Sequence, residues 1–380
     1  MNSEDIRIGV LFSTTGTTAV VERTERNAVE MAIAEINASG GAGGRRIIAS
    51  YDDPASEPRR YRAQALQMME QEGVRIFFGC YMSSTRKALL PVIEENQALL
   101  FYPTLYEGFE FSASCYYGGA APNQNSIGLA QYLMENFGET FYLVGSNYVF
   151  PYESNRIMRD FVVSSGGRVL QERYVPLAAT EQDIAKIIEE IGRERPAAIL
   201  STIVGDTTTL FYRAYREAGF DSSRMPIGSL TTGEPEVAAM GAEAAAGHIT
   251  SAPYFDTIDS LENRRFVTNY RERFGADSPI SACTEAAYSQ VHLFAEAVER
   301  AGSVRIDDLR QALPGCSFNA PQGQVTIDAD NHHTYLSPRI GRVRADGHFE
   351  IVASSRAPVK PDPYLITPLT TDWGSKVAAG

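Results

Sequence analysis

The chain predicts an α/β fold of two Rossmann-like lobes with a central ligand cleft, and three observations carry that expectation. Short apolar runs alternate with helical patterns through the first 250 residues, the signature of βαβ units and mostly parallel sheets. The alternation falls into two successive halves, each able to form its own sheet. A length of 380 residues, 44% hydrophobic and 21% charged, is enough for two cores.

In the first half, IRIGVLF (6–12) reads as a buried strand, and Ala28, Val29, Ile33 and Ile36 then fall on one face of a helix. The turn SGGAGGR reverses the chain into the strand RIIASYD, because consecutive glycines take positive φ without steric cost. A helix over 57–72, the strand VRIFFG, a helix over 85–95 and the strand ALLFYP complete this half. The second half runs through a helix at 126–137, the strand TFYLVGS, a helix at 152–165 and the strand GRVLQERYVPL. Thr180 and Asp183 form a capping-box-like start to a helix over 181–194. AAILSTIVG, a helix over 207–218, MPIGSL and GHITSAP extend the alternation.

After residue 255 the pattern changes. Phe266, Tyr270 and Phe274 line one helix face, a second helix covers 281–301, and QGQVTID, SPRIGRVRADG and HFEIVASS read as strands with a hairpin at the Asp-Gly pair. The proline-rich tail reads as irregular surface chain.

Composition excludes several function classes. A formal net charge of −13 opposes docking on nucleic acid or anionic lipid. No apolar run reaches the ~18 residues of a membrane span. Cys80, Cys115, Cys283 and Cys316 are far apart without C-x-x-C spacing, so they read as buried thiols rather than a zinc or redox site. The start MNSEDIRIGVLFS lacks a basic n-region and an apolar h-region, which predicts a cytoplasmic chain. Had a leader been removed, the same sequence would be periplasmic.

In parallel sheets, ligands bind beyond the carboxyl ends of strands. That rule selects FSTTGT (12–17), GCYMSS (79–84), YPTLYEG (102–108), SNYVFPYES (146–154) and VGDTTT (204–209). Ser84 and Lys87 match S-x-x-K, yet no K-T-G, S-D-N or G-x-S-x-G accompanies them, so the expectation is a helix-capping Ser84 with Arg86 and Lys87 at the surface. Neither a P-loop nor G-x-G-x-x-G follows a strand. His332 and His333, with Asp328 and Asp330, weigh as a metal set against a solvated turn, and the turn is preferred; His248 and His292 read as satisfied core residues. What the selected loops share is rings mixed with hydroxyls: Tyr81, Ser83, Tyr102, Thr104, Tyr106, Tyr148, Phe150 and Tyr152. Such a mixture suits a small, neutral, polar ligand, since a charged one would need a fixed opposite charge.

The runs GCYMSSTRKALLPVIEENQALLFYPTLYEGFE, YYGGAAPNQN and SNYVFPYESNRIMRDF closely resemble the amide receptors that control bacterial aliphatic amidase operons. They are also similar to the urea and short-chain amide binding proteins of ABC transporters, all within the type I periplasmic-binding-protein-like family of branched-chain amino acid receptors. The resemblance implies one lobe from 1–121 plus 251–325 and another from 122–250 plus 326–380. It implies a ligand wall of Tyr81, Ser83, Ser84, Tyr102 and Thr104 on the first lobe and Tyr148, Phe150, Val204, Gly205 and Asp206 on the second. An acidic Asp206 facing ligand N–H groups would favour urea over acetamide. The expectation is a non-catalytic receptor without cofactor or metal. The main expectation is a cytoplasmic ligand-responsive regulator of amide catabolism acting on an RNA-binding antiterminator; the alternative is the substrate-binding component of a urea or short-chain amide ABC transporter, meeting a permease. A Ser84/Lys87 amidase is the rival from another class.

Overall fold

The computed structural model of the chain describes residues 5–366 as two α/β units. Of the described residues, unit 1 holds 5–105 with Phe109–Ala120 and Asp259–Leu336. Unit 2 holds Tyr106–Gly108, Ala121–Ile258 and 337–366.

Unit 1 begins with β1 (Ile6–Leu11), α1 (Ala19–Ala38), β2 (Ile47–Asp52), α2 (Pro58–Glu72), β3 (Ile76–Gly79), α3 (Ser83–Glu95), β4 (Leu99–Tyr102) and β5 (Cys115–Tyr117). The strands form an all-parallel sheet in the order β2-β1-β3-β4-β5. Pro58 in the first turn of α2 gives up no needed N–H, and Gly73 ends that helix in the left-handed conformation.

Unit 2 follows with α4 (Ser126–Asn136), β6 (Thr140–Ser146), α5 (Val149–Ser164), β7 (Arg168–Val175), α6 (Glu181–Glu194), β8 (Ala198–Thr202), α7 (Asp206–Glu217), β9 (Ile227–Ser229), α8 (Glu234–Met240), α9 (Ala242–Ala245) and β10 (Ile249–Ala252). The Thr180 hydroxyl accepts from the Asp183 N–H at 3.3 Å and the Asp183 carboxylate accepts from the Thr180 N–H at 3.0 Å, so the predicted capping box is present.

The chain then adds α10 (Leu261–Phe274), α11 (Ala282–Ala301), α12 (Ile306–Ala312), β11 (Ser317–Ala320), β12 (Gly323–Ile327) and β13 (Thr334–Tyr335) to unit 1. It closes unit 2 with β14 (Arg339–Val343) and β15 (Phe349–Ser354). These two strands pair antiparallel through the Asp346-Gly347 turn, completing a seven-stranded sheet in the order β15-β14-β10-β9-β8-β6-β7. Strand pairing also sets the boundaries between units. β10 is hydrogen-bonded to β9 and β14, which keeps 251–258 in unit 2; β13 pairs with β12, and His333 bridges to Tyr117, which keeps 326–336 in unit 1. The division that the resemblance implies places both segments the other way.

The unit 1 core is aromatic. Phe78 and Phe101 stack at 4.6 Å, Tyr116 continues the stack at 5.4 Å, and Phe294 of α11 meets Phe78 and Phe101 edge-on at 5.9 and 5.8 Å. Each buried ring contributes on the order of 2–3 kcal/mol. This layer anchors β3 and β4, whose ends carry the candidate site. In unit 2, Tyr142, Val144, Ile184, Ile187, Ile199 and Phe211 form the corresponding core between the sheet and its helices.

Candidate functional site

In unit 1 the chain leaves β3 through Cys80, a non-glycine residue at φ +70, and enters α3 within three residues. The Cys80 N–H donates to the Leu11 carbonyl at 3.1 Å, tying this turn to the end of β1. The turn is drawn to the end of β4 as well. Tyr102 donates its hydroxyl to the Tyr81 carbonyl at 2.7 Å, and Thr104 Oγ1 lies 3.4 Å from the Cys80 carbonyl. Tyr81, Ser83, Tyr102 and Thr104, widely spaced along the chain, are therefore neighbours through these two strand ends, and all four are buried. Gly119 permits the approach: a Cβ there would lie 2.1 Å from the Thr104 carbonyl carbon.

Arg86 underlies this wall. It is fully buried, with its guanidinium carbon 4.7 Å from the centre of the Tyr102 ring. Its Nε donates to Glu110 at 2.8 Å and its Nη1 donates to Ser83 Oγ at 3.3 Å. Lys87 Nζ, exposed, donates to the same Glu110 at 2.7 Å. Burial pushes the Glu110 carboxyl up, but the Arg86 and Lys87 charges outweigh it and hold the group down at about 2. The surface position expected for Arg86 is thus corrected: α3 turns it inward, where Glu110 and Tyr102 receive it.

Ser84 is half-buried and makes no side-chain hydrogen bond among the described residues. Met82, not Ser84, occupies the N-cap of α3, because Ser83 is already helical. Lys87 is engaged by Glu110 rather than Ser84, so no activated hydroxyl–amine pair is present among the described residues. Burial raises the Cys80 thiol well above its ordinary range, which leaves it protonated and unreactive at neutral pH. All four cysteines are free and buried.

In unit 2, Tyr148 caps α5, half-buried, and its ring centre lies 6.2 Å from that of buried Phe150. Val204 is buried and its N–H donates to Ser146 Oγ at 3.2 Å, joining the ends of β6 and β8. Gly205 caps α7 at φ +67, a conformation that favours glycine. Asp206 begins that helix with its side chain exposed. Tyr152 turns away from this group: its hydroxyl donates to Asn147 at 2.8 Å and its ring packs 4.0 Å from Tyr174.

Sequence reasoning missed three features. The β9 end continues into Thr231 and Thr232, both buried, where Thr231 Oγ1 donates to the Ile203 carbonyl at 2.8 Å; the strand-end rule selects this loop once β9 is seen to stop at Ser229. The α8 start buries Glu234 and Glu236. Burial raises both carboxyls, Glu236 to about 7 and Glu234 well above its usual range with the Asp256 charge assisting. Behind the β1 loop, buried Glu22 accepts from the Ser13 N–H at 2.8 Å, from Thr18 Oγ1 at 2.6 Å and from the Tyr61 hydroxyl, and burial outweighs these bonds to lift it to about 7.

The histidine pair forms neither a metal set nor a solvated turn. His333 is buried and stacks on Tyr117 at 4.1 Å, His332 stacks on Tyr116 at 4.8 Å, and no group of three metal-ligating side chains occurs among the described residues. Burial also holds His248 down to about 3, where its Nδ1 accepts from the Ile227 N–H.

A model of the Periplasmic binding protein domain family matches residues 6–368. The Leu/Ile/Val-binding protein homolog 6 of Brucella suis is 24% identical over 336 residues, spanning 86% of this chain and 85% of its own. A solute binding protein of an ABC transporter from Rhodopseudomonas palustris, solved with 3,4-dihydroxy benzoic acid, aligns with a TM-score of 0.84 at 20% identity, covering 94% of this chain and 99% of that one. The branched-chain amino acid transporter substrate binding protein LivJ of Streptococcus pneumoniae, solved with isoleucine, aligns at 0.81 and 21% identity over 94% of this chain and 100% of its own. At these identities the two structures share the fold.

Proposed function

The chain belongs to the periplasmic binding protein domain family, and on that premise we propose that it is a non-catalytic receptor for a small neutral amide or urea, serving as the substrate-binding component of an ABC transporter. One observation carries the ligand class: the unit 1 wall sets buried hydroxyls among rings over a buried cation that is already compensated. Ser83 Oγ accepts from Arg86 and Thr104 Oγ1 donates to buried Glu25 at 3.2 Å. Hydroxyls both donate and accept, which matches the C=O and N–H of a carboxamide or urea. The cation beneath them is already neutralised by Glu110 and covered by Tyr102, so the wall offers no uncompensated positive charge to a carboxylate. Tyr148, Phe150, Val204 and Gly205, with Asp206 as an N–H acceptor, are proposed as the unit 2 contribution, and Ser84 as a peripheral contact.

The transport role rests on relatives named for transporter solute or substrate binding; its partner would be a membrane permease, and its place outside the cytoplasm. It replaces the expected cytoplasmic regulator with an antiterminator partner, a role that none of the relatives above carries in its name. Titration calorimetry with urea, formamide, acetamide and butyramide, beside isoleucine and 3,4-dihydroxybenzoate, tests the reading. Saturable binding of at least one neutral compound, without release of ammonia, is expected. Binding confined to the amino acid or the aromatic acid would overturn it.

A further inference from the structure

Away from the strand ends, α1, α10, α11 and β11 of unit 1 line a half-open hollow of about 440 Å³, within the size range of small-molecule sites. Its wall carries a continuous run of rings. Phe266 and Tyr288 lie 4.7 Å apart, Tyr288 and His292 4.5 Å, and His292 stacks flat on Phe318 at 4.4 Å. Beside them stands Glu35, a carboxylate oriented by neutral donors: Asn269 Nδ2 gives to Oε1 at 3.0 Å and the Tyr288 hydroxyl gives to Oε2 at 2.5 Å.

Among the described residues, the one basic side chain that reaches Glu35 is His292, whose Nε2 is 3.9 Å away and has no hydrogen-bond partner. Burial pushes that imidazole down to about 4 against the pull of Glu35, so it is neutral at pH 7. The expectation of a satisfied core histidine fails here. The remaining charged lining consists of Glu262, Glu296 and Glu299 against Arg265, which with Glu35 makes four carboxylates facing one guanidinium.

A pre-oriented carboxylate without a cation, set among ring faces in an acidic hollow, is complementary to a charged N–H donor. The carboxylate takes the hydrogen bonds and the rings stabilise the charge and bury the apolar body. We propose that this hollow is a second binding site, distinct from the strand-end wall, for a small organic cation: an ammonium or guanidinium attached to an apolar group.

Calorimetric titration of the full chain with benzylamine at pH 7 tests the site, with benzyl alcohol and benzoate as neutral and anionic isosteres. Saturable binding of benzylamine alone is expected. Glu35→Gln removes the charge and keeps one carbonyl acceptor for Asn269, while its NH2 can donate to the Tyr288 hydroxyl, and it should weaken benzylamine about tenfold with little change in the unfolding midpoint. Thr104→Val should leave benzylamine binding unchanged. The proposal is overturned by absence of saturable binding to the folded wild type, by equal binding of either isostere, by wild-type affinity in Glu35→Gln, or by loss of binding in Thr104→Val.

Discussion

Replacing Arg86 with methionine tests the construction of the unit 1 wall. Arg86 is fully buried and Glu110 nearly so, and removing one partner of such a pair strands the other charge at a cost of about 3–5 kcal/mol. Lys87 remains on Glu110 at 2.7 Å, which places the expected loss near the lower end, about 3 kcal/mol. The pH dependence supplies an independent measure. The Glu110 carboxyl is lowered from 4.5 to about 2 in the folded chain, so its contribution is present above the unfolded value and is lost as pH falls through the folded one. That depression corresponds to about 3 kcal/mol, part of it owed to Lys87. Thermal unfolding followed by circular dichroism, at pH 7 and stepwise to pH 3, should show Arg86→Met well below wild type at neutral pH and the gap narrowing under acid. A gap below about 1 kcal/mol at pH 7, or one that stays constant as pH falls, would refute the buried pair.

Four further outcomes follow from the same contacts. Thr104→Val should weaken amide or urea affinity by about 1–3 kcal/mol, from a lost buried hydrogen bond, with the fold retained by circular dichroism; unchanged calorimetric affinity would remove Thr104 from the wall. Gly119→Ala places a methyl against the Thr104 backbone and should destabilise by about 1–3 kcal/mol while impairing binding, checked by thermal unfolding and titration. Glu22 is raised from 4.5 to about 7 by burial, so stability should decline as pH rises across that interval; Glu22→Gln should flatten the decline by about 3 kcal/mol in thermal unfolding at pH 4.5 and 7.5. Ser84→Ala should leave amide affinity within about twofold of wild type.

The repeating architecture was legible because it rests on local pattern. Helix α6 begins at its capping box and ends where predicted, and the Asp346-Gly347 turn joins the two strands it was read to join. The elements that escaped are short. β5 is only Cys115–Tyr117, and β13 only Thr334–Tyr335, too brief to show a period of two. The links that hold the β13 segment to unit 1 run from His333 and Thr334 to Tyr117, far away in the chain, so local pattern does not place the boundary at 336.

The unit 1 wall was partly legible for a different reason. The strand-end rule finds Tyr81, Ser83, Tyr102 and Thr104 from chain order alone, whereas the side chains that hydrogen-bond Ser83 and Thr104 are ones the rule does not weigh. Arg86 looks like a surface cation beside Lys87 until Glu110 and Tyr102 fold over it. Glu25 sits on α1, far from Thr104 in sequence. Tyr152 shows the converse: it lies one turn into α5 beyond Tyr148 but is diverted by Asn147 and Tyr174.

The central claim is recognition of a neutral amide by a wall of buried hydroxyls and rings whose cation is already compensated, and acetamide against acetate tests it most directly. The two ligands share size and carbonyl but differ in charge and in N–H groups. Calorimetry at pH 7 should show saturable acetamide binding at least about tenfold tighter than acetate, a difference of about 1.4 kcal/mol. Acetate binding as tightly as acetamide, or binding of neither acetamide nor urea by the folded chain, would contradict the account.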